Sequence, residues 1–378
     1  MNLKTLNRNI KRQIIDAFSW HTKRRIVVIE SDDWGSIRMP SKEIYDRLLK
    51  KGVRVDQCPY TKYDSLANEE DLTFLFETLS SVKDINGNFA KITANSIVAN
   101  PDFEKIRAHN FDSYHYETFI DTLKSYPKHS NSFALWKEGM LQEVFYPQFH
   151  GREHVNVDFW LEGLKNKLPE TTLAFENRLF GISSSITTEV RGNYMFALDF
   201  NSKTQEENKS IILEDGLRLF EQIFGYKSKS FIAPAYTWSD LNEHTLSECE
   251  IQILQGNPYQ NKPTLGSSRY KRVLHYTGEK NSLGQIYLVR NAYFEPSILK
   301  RETAVNECLK RINFAFYLNR PAIISAHRVN FIGNIDNKNR DHNLKLLSQL
   351  LTRIKKRWPN VEFMTSDKLG ELILGKHV

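Results

Sequence analysis

Hydrophobic and polar positions along this chain fall into a repeated strand-then-helix rhythm. Arg25–Glu30 (RIVVIE) is a continuous β-branched run, the pattern of a strand buried on both faces. Ser41 is placed to cap a helix reaching about Lys51, with Gly52 at its end, and Asn68–Lys83 reads as a second helix. Ile92–Val98 reads as a strand, and Pro101 is placed to open the next helix. Tyr116–Tyr126, Phe133–Glu143 and Val157–Lys167 carry helical spacing, while Val144–Phe149 and Tyr194–Phe200 read as strands. In the second half, Lys209–Phe224 is a helix closed by Gly225, Ser228–Ile232 a strand, and Ser239 a helix cap. Ile251–Leu254, Arg272–Tyr276 and Gln285–Arg290 read as strands, followed by a helix at Ala304–Leu318. A strand at Ala322–Ala326, a helix at Asn343–Arg357, a strand at Val361–Met364 and a helix at Asp367–Leu374 complete the series.

Strands alternating with helices imply a mainly parallel sheet, open or closed. No Gly-rich phosphate loop of the GxGxxG or GxxxxGKS kind follows any strand, which argues against nucleotide binding. No internal repeat or long linker interrupts residues 25–375, so this span reads as one domain with long loops.

The chemistry expected in such a sheet lies at the carboxyl ends of its strands. The first strand runs into Ser31-Asp32-Asp33-Trp34-Gly35, and adjacent buried carboxylates are costly unless paired or bound to a metal. The strand at Val144 runs into His150-Gly151-Arg152-Glu153-His154. One helical turn there would put both rings on one face. Two imidazoles and a carboxylate make a common metal site with an open position for water. One Asp of the pair could bind the metal while its neighbour stays free as a base. The strand at Ser228 ends in Ala233-Pro234-Ala235-Tyr236, and the strand at Ala322 ends in His327, placed as a general acid.

Composition excludes several classes. The 378 residues are 40% hydrophobic and 12% aromatic, too rich for a disordered chain. Cys58, Cys249 and Cys308 are too few and scattered for a disulfide scaffold or a metal cluster. No run of about 18 apolar residues is present, and no signal peptide is visible, so a cytoplasmic location is expected. The net charge is +7, and residues 1–25 carry seven basic side chains against Asp16 alone. Leu3, Leu6, Ile10, Ile14 and Phe18 recur there at helical spacing, so residues 1–24 read as a basic amphipathic helix. Docking on the domain is the favoured reading for that helix, contact with a membrane surface the other. The rest of the chain is nearly neutral, which argues against nucleic acid as a partner.

These motifs resemble the polysaccharide deacetylase family, carbohydrate esterase family four, also called the NodB-homology domain. Glu30-Ser31-Asp32-Asp33-Trp34-Gly35 is similar to its first motif and His150-Gly151-Arg152-Glu153-His154 to its second. Phe231-Ile232-Ala233-Pro234-Ala235-Tyr236 is similar to its third and Ile324-Ser325-Ala326-His327 to its last. The order is kept from about residue 25 to 371, and the whole chain looks like the large polysaccharide (de)acetylase proteins of gut-type bacteria. The resemblance implies a distorted (β/α)7 barrel and a divalent metal, zinc first, with cobalt, nickel or manganese as alternatives. By residue, it implies Asp33, His150 and His154 as metal ligands, Asp32 as general base and His327 as general acid. It also puts the backbone N–H of Tyr236 on the oxyanion. The substrate would be an acetylated sugar or polysaccharide.

Three departures stand out. The family carries an Arg before the motif-three Pro that orients the base; here that position is Ala233, leaving Arg290 or Arg152 as replacements. The family's fourth motif has no clear match, with Arg290-Asn291-Ala292-Tyr293-Phe294-Glu295 in roughly that place. The first two motifs lie about 117 residues apart, so 54–140 and 160–225 read as enlarged loops or insertions. Three rivals follow: a glycan-binding barrel without turnover, a C–N hydrolase acting on a non-sugar amide, and a zinc peptidase in which His150–His154 is an HxxEH helix.

Overall fold

The computed structural model describes residues 15, 17–182, 194–299 and 301–376. Its strands, in chain order, are β1 (Arg25–Trp34), β2 (Ile92–Ile97), a hairpin of β3 (Ala99–Pro101) and β4 (Tyr116–Thr118), and β5 (Phe145–Gly151). Then come β6 (Ser230–Ile232), β7 (Ile253–Gly256), a hairpin of β8 (Tyr259–Thr264) and β9 (Ser267–Leu274), and β10 (Ile286–Val289). The series ends with β11 (Ala292–Tyr293), β12 (Ala322–His327) and β13 (Val361–Met364).

Nine of these strands form one sheet in the order β10-β7-β6-β5-β2-β1-β12-β11, with β13 added to β1. Every pairing in it is parallel. The two ends of this order are neighbours in sequence. Val289 of β10 sits opposite Gly256 of β7, and Ala292 of β11 sits opposite Ile324 of β12. Only Arg290 and Asn291 lie between, so the curled sheet meets itself there. The strand positions around the ring are β1, β2, β5, β6, β7, the β10–β11 segment and β12: a distorted (β/α)7 barrel. The distortion lies beside β1, which pairs with β13 at Arg25–Val28 and with β2 from Ile29 onward. β13 is thus a wedge between β1 and β2 at the amino-terminal end.

The barrel interior changes character along its axis. Val27 and Ile29 point out into the main apolar core under the helices, with Ile92, Phe145, Ile324 and Leu347. Ile26 and Val28 point in, against Ile253, Ile286, Leu288 and Ile323. Leu369, from the closing helix Ser366–Ile373, plugs this end. Gly370 lets that helix approach, since a Cβ there would lie 2.2 Å from Ile253 Cδ1. Each such buried aliphatic chain stabilises the fold by about 1.5–3 kcal/mol. The next inward residues of β1 are Glu30 and Asp32, and the interior turns polar there. Asn95, Gln255, Ser230 and Gln148 join across β2, β7, β6 and β5 in one hydrogen-bonded chain.

Several sequence expectations are corrected. Tyr194–Phe200 is irregular loop rather than strand, with the Phe196 and Asp199 carbonyls accepting from the Asn156 side-chain amide. Pro101 ends β3, and the following helix starts at Phe103 under an Asp102 cap. Tyr116–Thr118 is a strand before its helix begins. The Lys203–Phe224 helix starts six residues ahead of Lys209, which is buried with its ammonium on Asp158 at 2.6 Å. The 54–140 stretch is not all loop, because it contains the barrel strand β2. Most of the N-terminal helix expected at 1–24 lies outside the described residues; Phe18, the last residue of its apolar stripe, is exposed and tilts against Tyr276. Among the described residues no helix is long and apolar enough to cross a membrane.

Candidate metal centre and its acid–base partners

Two adjacent strand residues normally face opposite ways. Asp32 and Asp33 do not, because Asp33 takes a left-handed backbone, φ 74°, and the register against β2 shifts between Ser31 and Trp34. Both carboxylates therefore line one cavity of about 470 Å³ at the carboxyl end of the barrel. His150, His154, Tyr236 and His327 line the same cavity.

His150 is still on β5, and His154 follows in an irregular segment, not on a helical turn. Gly151, at φ 131°, redirects the chain there, and the two rings converge at 5.2 Å between centroids. The helical basis expected for this pair is thus wrong, and with it the helix that an HxxEH peptidase needs. His150 Nδ1 lies 2.8 Å from the Ile232 carbonyl, which can only accept, so the proton sits on Nδ1. The buried Nε2 has no hydrogen-bond partner among the described residues and lies 3.5 Å from Asp33 Oδ1. His154 Nε2 lies 3.1 Å from the same oxygen. Ligating atoms of Asp33, His150 and His154 all fall within 4.8 Å of one another.

Protonation states favour ligation. Burial pushes His154 down to about 4 against the pull of Asp33, so its ring is neutral at physiological pH. Burial opposes ionisation of Asp33, but Arg38 and the two imidazoles hold its carboxyl well below the usual range. A carboxylate, the neutral His154 ring and the orphaned buried Nε2 of His150 fit a divalent cation, with the backbone bond to His150 Nδ1 as the outer contact that orients its ring.

The Asp beside it is held differently. Arg290, at the seam of the barrel, grips Asp32 with both terminal nitrogens, Nη1 to Oδ2 at 2.7 Å and Nη2 to Oδ1 at 2.6 Å. Its Nε donates to Glu30 Oε2 at 2.6 Å. Asn95 adds a bond to Asp32 Oδ1 at 2.7 Å. Burial raises the Asp32 pKa, yet the Arg290 charge and hydrogen bonds win and bring it to about 2. Of the two arginines offered by the sequence, Arg290 is the one that reaches Asp32. Arg152 does not: it pairs with Glu153 and Asp215, away from Asp32.

His327 ends β12 opposite Asp32, with its Nε2 3.7 Å from Asp32 Oδ2 and its Nδ1 2.6 Å from Glu295 Oε1. Burial disfavours its charge, but Glu295 and the two aspartates raise it to about 9, so it is protonated at neutral pH. Glu295 carries no sequence pattern that marks it as a site residue. It lies two residues past β11, and only the pairing of β11 with β12 brings it beside His327. An acid near the end of a strand was the one signal available. Tyr236 departs from expectation: its backbone N–H is taken by the Ala233 carbonyl at 3.0 Å and does not point at an oxyanion. Its phenol sits in the site instead, accepting from Arg290 Nη1 at 3.1 Å, and burial lifts it to about 12, so it stays neutral.

No protein-family model and no curated protein matches the chain. Several solved structures do, polysaccharide deacetylases among them. A probable polysaccharide deacetylase from Pseudomonas aeruginosa PAO1 is 7% identical over 94% of this chain and 93% of that one, with a TM-score of 0.48. An allantoinase is 10% identical over 95% and 93%, TM-score 0.48. A CE4 family pseudoenzyme from Bacillus anthracis is 11% identical over 95% of this chain and 68% of that chain, TM-score 0.35. Likenesses this loose carry no activity over to the chain.

Proposed function

We propose that this chain is a divalent-metal-dependent hydrolase, with zinc the first choice of metal, that removes N- or O-linked acetyl groups from a carbohydrate. The observation that carries the reading is the buried group Asp33, His150 and His154, facing a clamped carboxylate and a protonated imidazole across one cavity. A divalent ion held by those three residues supplies Lewis acidity, polarising an acyl carbonyl and lowering the pKa of water. The remaining work falls to the chain. Arg290 keeps Asp32 ionised, and Oδ2 is its oxygen with room left to take a proton. His327 gives its Nε2 proton to the departing nitrogen or oxygen, held in place through Nδ1 by Glu295. The neutral Tyr236 phenol has its own hydrogen free to donate into the cavity.

Hydrolysis of a non-sugar amide at the same residues is a second reading, favoured by the apolar side chains Met39, Leu179 and Phe196 in the cavity wall. Metal analysis of the purified protein, together with acetate release from a panel of acetylated sugars, tests the proposal. His150→Ala should abolish bound metal; unchanged metal content would show the site to be misplaced. Asp32→Asn should keep the metal and lose most turnover, and full activity in that variant would remove Asp32 as base.

A further inference from the structure

The cavity contains a second cation-bearing group that the reaction does not use. Arg38 lines it, nine-tenths buried, on the far side of Asp33 from the two histidines. Its guanidinium lies over the rings of Tyr60 and Phe180, at 5.4 and 5.6 Å from their centroids. Two aromatic faces within cation–π reach help to hold its plane, as a binding arginine requires.

Its hydrogen bonds are incomplete. A guanidinium has five N–H donors in a fixed fork. Among the described residues, Nη2 donates to Asp33 Oδ2 at 3.1 Å, Nη1 meets the Met195 thioether sulfur, and Nε has no hydrogen-bond partner. Thioether sulfur is a weak acceptor. The nearby Asp64 is 3.6 Å from Nε, and both its oxygens are already engaged at 3.0 Å by Arg328. Asp33 has a single charge, and a metal on Oδ1 would draw on it. A buried cation with unfilled donors, in a cavity otherwise walled there by Met39, Leu179, Met195 and Phe196, selects for an anion.

We infer that Arg38 is a substrate-binding residue that receives a carboxylate, so that the molecule hydrolysed is an acidic amide or ester rather than a neutral acetylated sugar. This rests on the metal-site reading above, since it places the carboxylate one Asp33 side chain away from the scissile carbonyl. The fork of Arg38 would take both carboxylate oxygens, and Tyr60 and Phe180 would cover the apolar stem.

Paired hydroxamates test it on the zinc-loaded full-length protein. Succinyl monohydroxamate carries a metal-binding group and a carboxylate; butyryl hydroxamate has a methyl group in place of the carboxylate. Titration calorimetry should find the acidic compound tighter by about tenfold or more, the effect of a charge-assisted hydrogen bond. In Arg38→Met the ratio of the two affinities should collapse toward one. Arg38→Lys, which keeps the charge and loses the fork, should fall between, and it serves where the Met variant does not fold. Equal affinities in the native protein, with zinc bound, would overturn this inference and leave the metal site standing. A preference that survives Arg38→Met would overturn the assignment to Arg38. Failure to take up zinc, or to bind either compound, would sink the metal reading and this inference with it.

Discussion

The proposed metal half of the site and its proposed acid–base half are assembled by different kinds of contact. Asp33 and His150 come from β1 and β5, and His154 from the irregular segment just after β5, four residues beyond His150. Their geometry is set by backbone: a left-handed residue at Asp33, a glycine at 151 and a carbonyl bond to His150. The acid–base half is set by charge. Asp32 and Glu30 come from β1, Arg290 from the barrel seam, Glu295 from just past β11 and His327 from β12, and they hold one another by ion pairs. Backbone geometry survives loss of a neighbour's charge; a buried ion-pair network does not.

That contrast can be broken most forcefully at Arg290. Arg290→Met leaves Glu30 and Asp32 buried without their cation, and should lower stability by about 3–5 kcal/mol in chemical denaturation. If the halves are independent, the folded fraction still binds metal in full, and lost metal would couple them. Next in size, His327→Ala should lower turnover by about 10²–10⁴ with bound metal unchanged.

Glu295→Gln has a smaller, pH-dependent effect. The folded-state pKa of His327, about 9, lies above its ordinary 6.5. Its stabilising contribution is therefore complete below about pH 6.5 and lost as pH rises through about 9. Without the Glu295 charge that pKa falls, so the alkaline limb of the activity profile should move to lower pH. A rate profile from pH 6 to 10 reads this directly, and an unmoved limb would remove Glu295 from the role. Smallest, Tyr236→Phe removes one hydroxyl and should slow turnover by no more than about tenfold, with stability little changed. A larger loss would give the phenol a part in the chemistry beyond one hydrogen bond.

The halves also differ in how far they can be read from sequence. Strand-end Asp-Asp and His-x-x-x-His stand out because their partners are near in the chain, and His327 stands out because it interrupts an apolar run. Arg290 could only be offered beside Arg152, since nothing local says which arginine reaches Asp32. Glu295 and Arg38 carry no pattern at all: each gains its meaning from strands or rings far away in sequence. Tyr236 shows the reverse risk, because a tight turn at Pro234–Tyr236 turned its N–H back on the chain.

By itself, then, the sequence determined the parallel α/β architecture and the main donor residues, because both follow from local periodicity and from polar groups that interrupt buried strands. Only the tertiary structure decided which charges neutralise which, how the barrel meets itself at Arg290–Asn291, and that Asp32 and Asp33 share a face. Those outcomes depend on through-space distance and on one left-handed residue in β1, and neither leaves a periodic trace in the chain.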